Sequence, residues 1–203
     1  MANEVINYRY YHWGPLLYSS KVTPERLTKI SEICKKTINL KTFKDAQHLT
    51  LFQKSPQVPH LEIFNVLKPY FQSYAKAHTH DWDFRPLPRL TLGSAWVNSM
   101  EAGDFNPPHN HTGVLSFVVY LKVPDELKKE NEKSTLQSMV GPGAIEFRIS
   151  EFKVHGAMSR DMLSFFPEEG EIFIFPTHLE HWVFPFKSKV TRVSLSGNLV
   201  EKK

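Results

Sequence analysis

From about residue 88 onward the chain breaks into short runs of β-branched and aromatic residues: "RLTLGSAWVNSM", "VLSFVVYLKV", "AIEFRIS", "EIFIFP", "HWVFPF" and "VTRVSLSGNLV". Pro, Gly and charged residues separate them. Such runs read as strands bounded by turns, and no long helical pattern lies between them to carry parallel crossovers. Antiparallel pairing in a sandwich or barrel is therefore expected in place of a βαβ architecture. With 203 residues, 41% hydrophobic and 13% aromatic, the chain can fill one substantial core, and its aromatics suit a β-rich one. A single domain over 1–203 is expected, with helical support over about 1–85 and the β core over about 88–200.

Two segments ahead of the strands have helical spacing. In "TPERLTKISEICKKTI", Thr23 can cap, Pro24 fits the first turn, and Leu27, Ile30, Cys34 and Ile38 share a face. In "PHLEIFNVLKPYFQSYAKAH", Leu61, Phe64, Leu67, Phe71 and Tyr74 repeat the pattern, and Pro69 is expected to kink the helix or end its first half. Between the second and third strand runs, "PDELKKENEKSTLQSMVGPG" (124–143) is polar enough to be an exposed excursion, as a loop or a short surface helix.

Charge and cysteine content exclude several roles. The formal charge of +4 comes largely from "KKTINLKTFK" and the final "EKK". That is too diffuse for a nucleic-acid footprint, so no nucleic-acid partner is expected. Cys34 is the only cysteine, which rules out an intrachain disulfide and suits a small core residue. No apolar run reaches the roughly 18 residues of a membrane span, and "MANEVINYRYYHWGP" has no basic start followed by an apolar stretch. A soluble cytoplasmic protein is expected, in the host cytoplasm if a phage encodes it. Oligomeric state is not legible.

The chemistry-bearing residues are histidines. In "PPHNHTG", His109 and His111 stand two apart, so an extended backbone presents both imidazoles on one side. The best third ligand is His181, which opens "HWVFPF" after the strand "GEIFIFP" and the short loop "THLE". Three protein ligands on one side of a metal leave positions open for substrate and oxygen. Imidazole suits iron, zinc, copper or nickel, so ligand type alone does not choose the metal. In "TRVSLSGN" the even positions Arg192, Ser194, Ser196 and Asn198 make one face polar, while Val193 and Leu195 point the other way. That row suggests a lined cavity in which the Arg192 guanidinium fork, with Ser194, holds one end of a dicarboxylate. An ordinary sheet with its polar face to solvent is the plain alternative for this strand.

Taken together, "WVNSMEAGDFNPPHNHTGVLSFVVYL" and "GEIFIFPTHLEHWVFPFKSKVTRVSLSGNLV" resemble the Fe(II)- and 2-oxoglutarate-dependent oxygenase superfamily, near its small prolyl-hydroxylase-like group of bacteria and phages. The shared pattern is Trp-Val-Asn, His-x-His, Leu-Ser and Tyr, then Phe-Pro, His and Arg-x-Ser-x-Ser-x-Asn, across roughly 95–200. The resemblance implies a mainly β fold, a double-stranded β-helix of jelly-roll or cupin kind packed on N-terminal helices. It implies Fe(II), 2-oxoglutarate and O2, with ascorbate as an optional reductant, and hydroxylation of a peptide, prolyl or small-molecule substrate. His109 and His181 take metal positions, Arg192 and Ser194 the far carboxylate of 2-oxoglutarate, and Tyr120 and Asn98 positions lining the cosubstrate pocket. The departure is His111, which stands where the superfamily usually has Asp or Glu. Without His111 as a ligand, the pattern would resemble the superfamily's halogenase branch.

Other residues compete. "HTHDWD" at 78–83 offers a second His-x-His with Asp81 and Asp83, but no strand signal surrounds it and a polar helix-to-strand linker is expected. His178 and Glu180 lie close to His181, with His178 read as a turn residue after Phe-Pro. His12 and His155 have no partner pattern. "YRYYHW" near the start suits core packing, or a substrate wall. Two other readings fit part of the pattern. One is a three-histidine cupin-type metal oxygenase or isomerase that does not use 2-oxoglutarate; the other is a non-enzymatic β-sandwich binding module.

Overall fold

All six runs form strands in the computed structural model, which describes residues 14–37, 57–81, 85–134, 141–149 and 162–202. In chain order the elements begin with β1 (Tyr18–Lys21), α1 (Pro24–Thr37) and α2 (His60–Lys76), and a π-helical turn, Ala77–Asp81, extends α2. There follow β2 (Leu90–Met100), β3 (Asn106–His109), β4 (Leu115–Lys122) and α3 (Asp125–Glu132). The last five are β5 (Ile145–Arg148), β6 (Met162–Phe165), β7 (Glu171–Pro176), β8 (Glu180–Val183) and β9 (Arg192–Glu201).

Two sheets result, a five-stranded one in the order β1-β7-β4-β9-β2 and a four-stranded one in the order β3-β8-β5-β6. Every pairing is antiparallel. This is the expected double-stranded β-helix. The larger sheet is covered on both faces, which is why β4 is buried without alternation over its first six residues. One face sets Phe117, Val119 and Leu195 against Ile30, Leu67, Phe71 and Tyr74 of the helices. The other sets Val118, Tyr120, Phe173 and Phe175 against Ile145, Phe147 and Val183 of the smaller sheet.

The helices depart from expectation in two ways. Pro69 neither ends nor divides α2, which runs unbroken to Lys76. Pro69 and Asn65, the residue whose carbonyl loses its helical donor to the proline ring, are both exposed, so water can take the unused bond. Leu61 is 61% exposed, and the buried stripe is instead Ile63, Val66, Leu67, Phe71 and Tyr74. Cys34 is buried as a core residue of α1, while Ile38 lies outside the described residues.

Three strands escape the sequence reading. β1, "YSSK", lies within the stretch expected to be helical support, yet pairs with β7 as an edge strand and so shows no apolar alternation. β3, "NPPH", contains two prolines, tolerated because this strand is the edge of the smaller sheet. β6, "MLSF", is only four residues long and pairs with β5. The charged excursion contains α3, whose Leu127 is fully buried. The Glu130 carboxylate accepts the N–H groups of Lys187 and Ser188 at 2.8 and 2.7 Å, tying α3 to the loop before β9.

Within the larger sheet, Gly197 of β9 leaves room for the β2 backbone and a β4 side chain to close over it. A Cβ there would lie 2.6 Å from the Ser94 carbonyl oxygen and 2.7 Å from the Phe117 ring. Gly197→Ala is expected to destabilise the protein by about 2 kcal/mol, seen as a fall of roughly 5 °C in Tm by calorimetry. An unchanged Tm would show that this contact is slack.

Candidate functional site

The antiparallel register of β3 and β8 sets His109 directly opposite His181. Their ring centroids are 4.3 Å apart, and His111 lies 5.0 and 5.2 Å from the two. One ligand atom from each of the three falls within 4.8 Å of the others, the only such cluster of His, Cys, Asp or Glu among the described residues. Neither alternative joins it. His178 is exposed in the turn before β8, and His80 and Asp81 sit in the π-helical turn. Asp83, His12, His155 and "YRYYHW" lie outside the described residues.

Backbone carbonyls orient two of the rings. The Nδ1–H of His109 donates to the Pro107 carbonyl at 2.7 Å, and that of His181 to the Leu179 carbonyl at 3.0 Å. A carbonyl only accepts, so both rings carry a proton on Nδ1, and the neutral form of each offers its Nε2 lone pair to a metal. The "HNHTG" loop is held by its ends: the His111 N–H donates to the Thr177 carbonyl and the Thr177 hydroxyl to the Gly113 carbonyl, both at 2.9 Å. Gly113 has φ +119°, and a Cβ there would come within 2.8 Å of the Leu199 carbonyl oxygen, so only glycine fits this turn.

The surroundings favour the neutral form of His111 and His181. Burial, and then the neighbouring His109, lower the pKa of His111 to about 4. Burial is also the main cause at His181, whose pKa falls to about 3 with His109 and His111 adding to it against the Leu179 bond. Phe175, 4.8 Å from His181, and Trp96, 5.6 Å from His111, wall the cluster. Three converging imidazole donors suit a divalent metal such as iron, zinc, copper or nickel.

Facing this cluster, the polar row of β9 lines a cavity of about 320 Å³, as its alternation suggested, in place of the plain alternative of a polar face turned to solvent. Arg192, Ser194, Tyr120 and Asn98 all border it, together with the three histidines. Arg192 is 2% exposed; its Nη1 donates to the Gly143 carbonyl at 2.8 Å and its Nη2 to Met100 Sδ at 3.3 Å. Its Nε and the Tyr120 hydroxyl are buried without a hydrogen-bond partner, and the guanidinium lies 5.2 Å from the centre of the Tyr120 ring. No carboxylate pairs with Arg192 among the described residues. Burial works against its charge and raises the Tyr120 pKa to about 12, with Arg192 pulling the other way. A buried cation beside two unmet donors is the arrangement that a carboxylate ligand completes.

Sequence reading missed Trp96, Met100, Ser116 and Phe175 as cavity residues. Ser116 was within reach, because period two along "LSFVVY" puts it on the face of Tyr120. Met100 was not, since only the β2–β9 register sets it opposite Arg192. Arg192→Met in ligand-free protein is expected to leave stability unchanged or raise it by about 1 kcal/mol, because it removes an uncompensated buried charge. A loss of more than about 3 kcal/mol in chemical denaturation, as for breaking a satisfied buried pair, would contradict this.

No curated protein matches the sequence. Among solved structures, the chain is similar to a Pseudomonas putida prolyl-4-hydroxylase at 13% identity and TM-score 0.50, covering 92% of this chain and 88% of that one. The viral collagen prolyl hydroxylase of Paramecium Bursaria Chlorella virus-1 gives 11% identity and TM-score 0.52, with coverage of 92% and 96%. The non-heme alpha ketoglutarate dependent carbocyclase SnoK of nogalamycin biosynthesis gives 11% and 0.57, with coverage of 91% and 79%. These likenesses bear on the fold. The family model for a 2OG-Fe(II) oxygenase, 2OG-FeII_Oxy_5, matches residues 94–198, just over half of the sequence and a span holding all seven site residues. The chain belongs to the 2OG-Fe(II) oxygenase family.

Proposed function

We propose that this chain is an Fe(II)- and 2-oxoglutarate-dependent dioxygenase acting as a hydroxylase, folded as one oxygenase-like domain over 1–203. In this reading His109, His111 and His181 hold the metal, Arg192 and Ser194 hold the far carboxylate of 2-oxoglutarate, and Tyr120 and Asn98 line its pocket. The observation that carries it is the pairing, across one cavity, of three converging imidazoles with a buried guanidinium that has no anion among the described residues. When bound, iron and 2-oxoglutarate supply the activation of O2 that puts one oxygen atom into a substrate C–H bond and the other into succinate, with loss of CO2.

The chain's own groups position and exclude. The Arg192 Nε–H and the Tyr120 O–H are the unmet donors, and each gains a partner when a carboxylate enters. The carbonyls of Pro107 and Leu179 fix two imidazoles before any ligand arrives, so little ordering remains to be done on binding. Phe147 and Phe175, stacked against and edge-on to His181, keep water from that side. Three imidazoles bring no negative charge, so the centre attracts anionic ligands more strongly than a site containing a carboxylate.

The substrate is a prolyl residue of a peptide or a small molecule; prolyl hydroxylases and a carbocyclase both stand among the similar folds. Ascorbate enters only as an optional reductant. No helix is long and apolar enough to cross a membrane among the described residues. A three-histidine enzyme that does without 2-oxoglutarate, or a binding module, leaves Arg192 buried with nothing to neutralise it. Anaerobic addition of Fe(II) and 2-oxoglutarate is expected to give a weak visible charge-transfer band, lost in His181→Ala and kept in His111→Asp. Arg192→Ala is expected to raise the 2-oxoglutarate concentration needed by about a hundredfold. Absence of the band from the wild type would refute the proposal.

A further inference from the structure

The cavity face of β9 has a second end. Asn198 lies six residues beyond Arg192, about 20 Å along the strand. Register places the histidine cluster near this end. Trp96, which touches His111, pairs with Ser196, and Phe175, which touches His181, pairs with Ser116. Ser116 in turn pairs with Asn198.

The hydrogen bonds at this end leave donors over. The Ser116 hydroxyl donates to Asn198 Oδ1 at 2.9 Å, which occupies the amide oxygen and leaves the Nδ2 protons without an acceptor among the described residues. The Asn98 amide donates to Ser196 Oγ at 3.0 Å, so the Ser196 proton is likewise left for the cavity. Asn198 and Ser196 are only partly buried and both border the cavity. Apart from the three histidines of the cluster, the ionisable acids and bases in the lining are Arg192, at the other end, Tyr120 beside it, and Asp104, whose carboxylate accepts the Glu101 N–H at 2.8 Å. A carboxylate placed against Asn198 would lose its hydration with no side-chain cation at this end to replace it, and the charge of a bound metal would already be opposed by 2-oxoglutarate. A neutral carbonyl needs only the donors present.

We propose that Asn198 determines substrate specificity: its side-chain N–H, oriented by Ser116, holds a neutral carbonyl oxygen, so the site takes amide-bearing substrates such as a peptide segment over free carboxylates. This rests on the dioxygenase reading above. Asn198 binds the substrate, Ser196 adds a second donor, and Ser116 is a positioning residue that keeps the amide from turning its oxygen to the cavity.

The test is ligand-observed NMR on protein loaded with Mn(II) and 2-oxoglutarate, with N-acetyl amino-acid amides and the matching free amino acids as probes. Paramagnetic relaxation reports which probe protons sit near the metal. In the wild type the amides are relaxed and the free amino acids are not. Asn198→Ala weakens amide binding about tenfold, the worth of one well-made hydrogen bond. The isosteric Asn198→Asp weakens it at least as much, and an unchanged melting curve shows that this variant folds; Ser116→Ala gives a smaller loss. Amide binding indifferent to Asn198→Asp, stronger relaxation of the free amino acids, or no relaxation of any amide overturns the proposal. A parallel 2-oxoglutarate titration separates the failures. Wild type that binds 2-oxoglutarate with amides indifferent to Asn198 refutes this inference alone, and wild type that binds none refutes the dioxygenase reading and this inference with it.

Discussion

Taking the Arg192 guanidinium out of water to 2% exposure without a carboxylate partner costs several kcal/mol, and much of the fold is arranged around that cost. β9 runs through the larger sheet between β4 and β2, and Arg192 and Ser194 on its polar face are buried against the cavity. The Gly143 carbonyl, Met100 sulfur and Tyr120 ring recover part of the loss. What they do not supply is negative charge. A protein that keeps such a group keeps it for a ligand that brings the charge.

The smaller sheet answers from across the cavity. Its β3–β8 edge pairs His109 with His181, and the "HNHTG" loop, fastened by Thr177 and Gly113, brings His111 back to the same point. The two sheets thus divide the work. One contributes three converging nitrogen donors, and the other a cation with donors for an acid. Under the proposed function each half awaits one end of the same ligand, a metal-chelating dicarboxylate.

Much of this was legible in the sequence because it depends on alternation, and alternation survives as a pattern. The six apolar runs, the polar face of Arg192, Ser194, Ser196 and Asn198, and the His-x-His pair all follow from period two. The rest depends on what pairs with what. β3 was hidden by Pro107 and Pro108, which read as strand breakers until the strand is known to lie at an edge. Leu61 looked like core because helical spacing does not say where the buried stripe begins, and Pro69 looked like an end because its exposure was unknown. Met100 against Arg192 and Ser116 against Asn198 are matters of register, which no local pattern encodes.

The central claim is that the buried guanidinium and the histidine cluster select the same molecule. Calorimetric titration of anaerobic, Fe(II)-loaded protein with 2-oxoglutarate and with 2-oxobutyrate, which shares the keto acid but lacks the far carboxylate, tests it most directly. The account predicts that 2-oxoglutarate binds about a hundredfold tighter and that Arg192→Met removes the difference. Equal affinities in the wild type, or a difference that survives Arg192→Met, would contradict it.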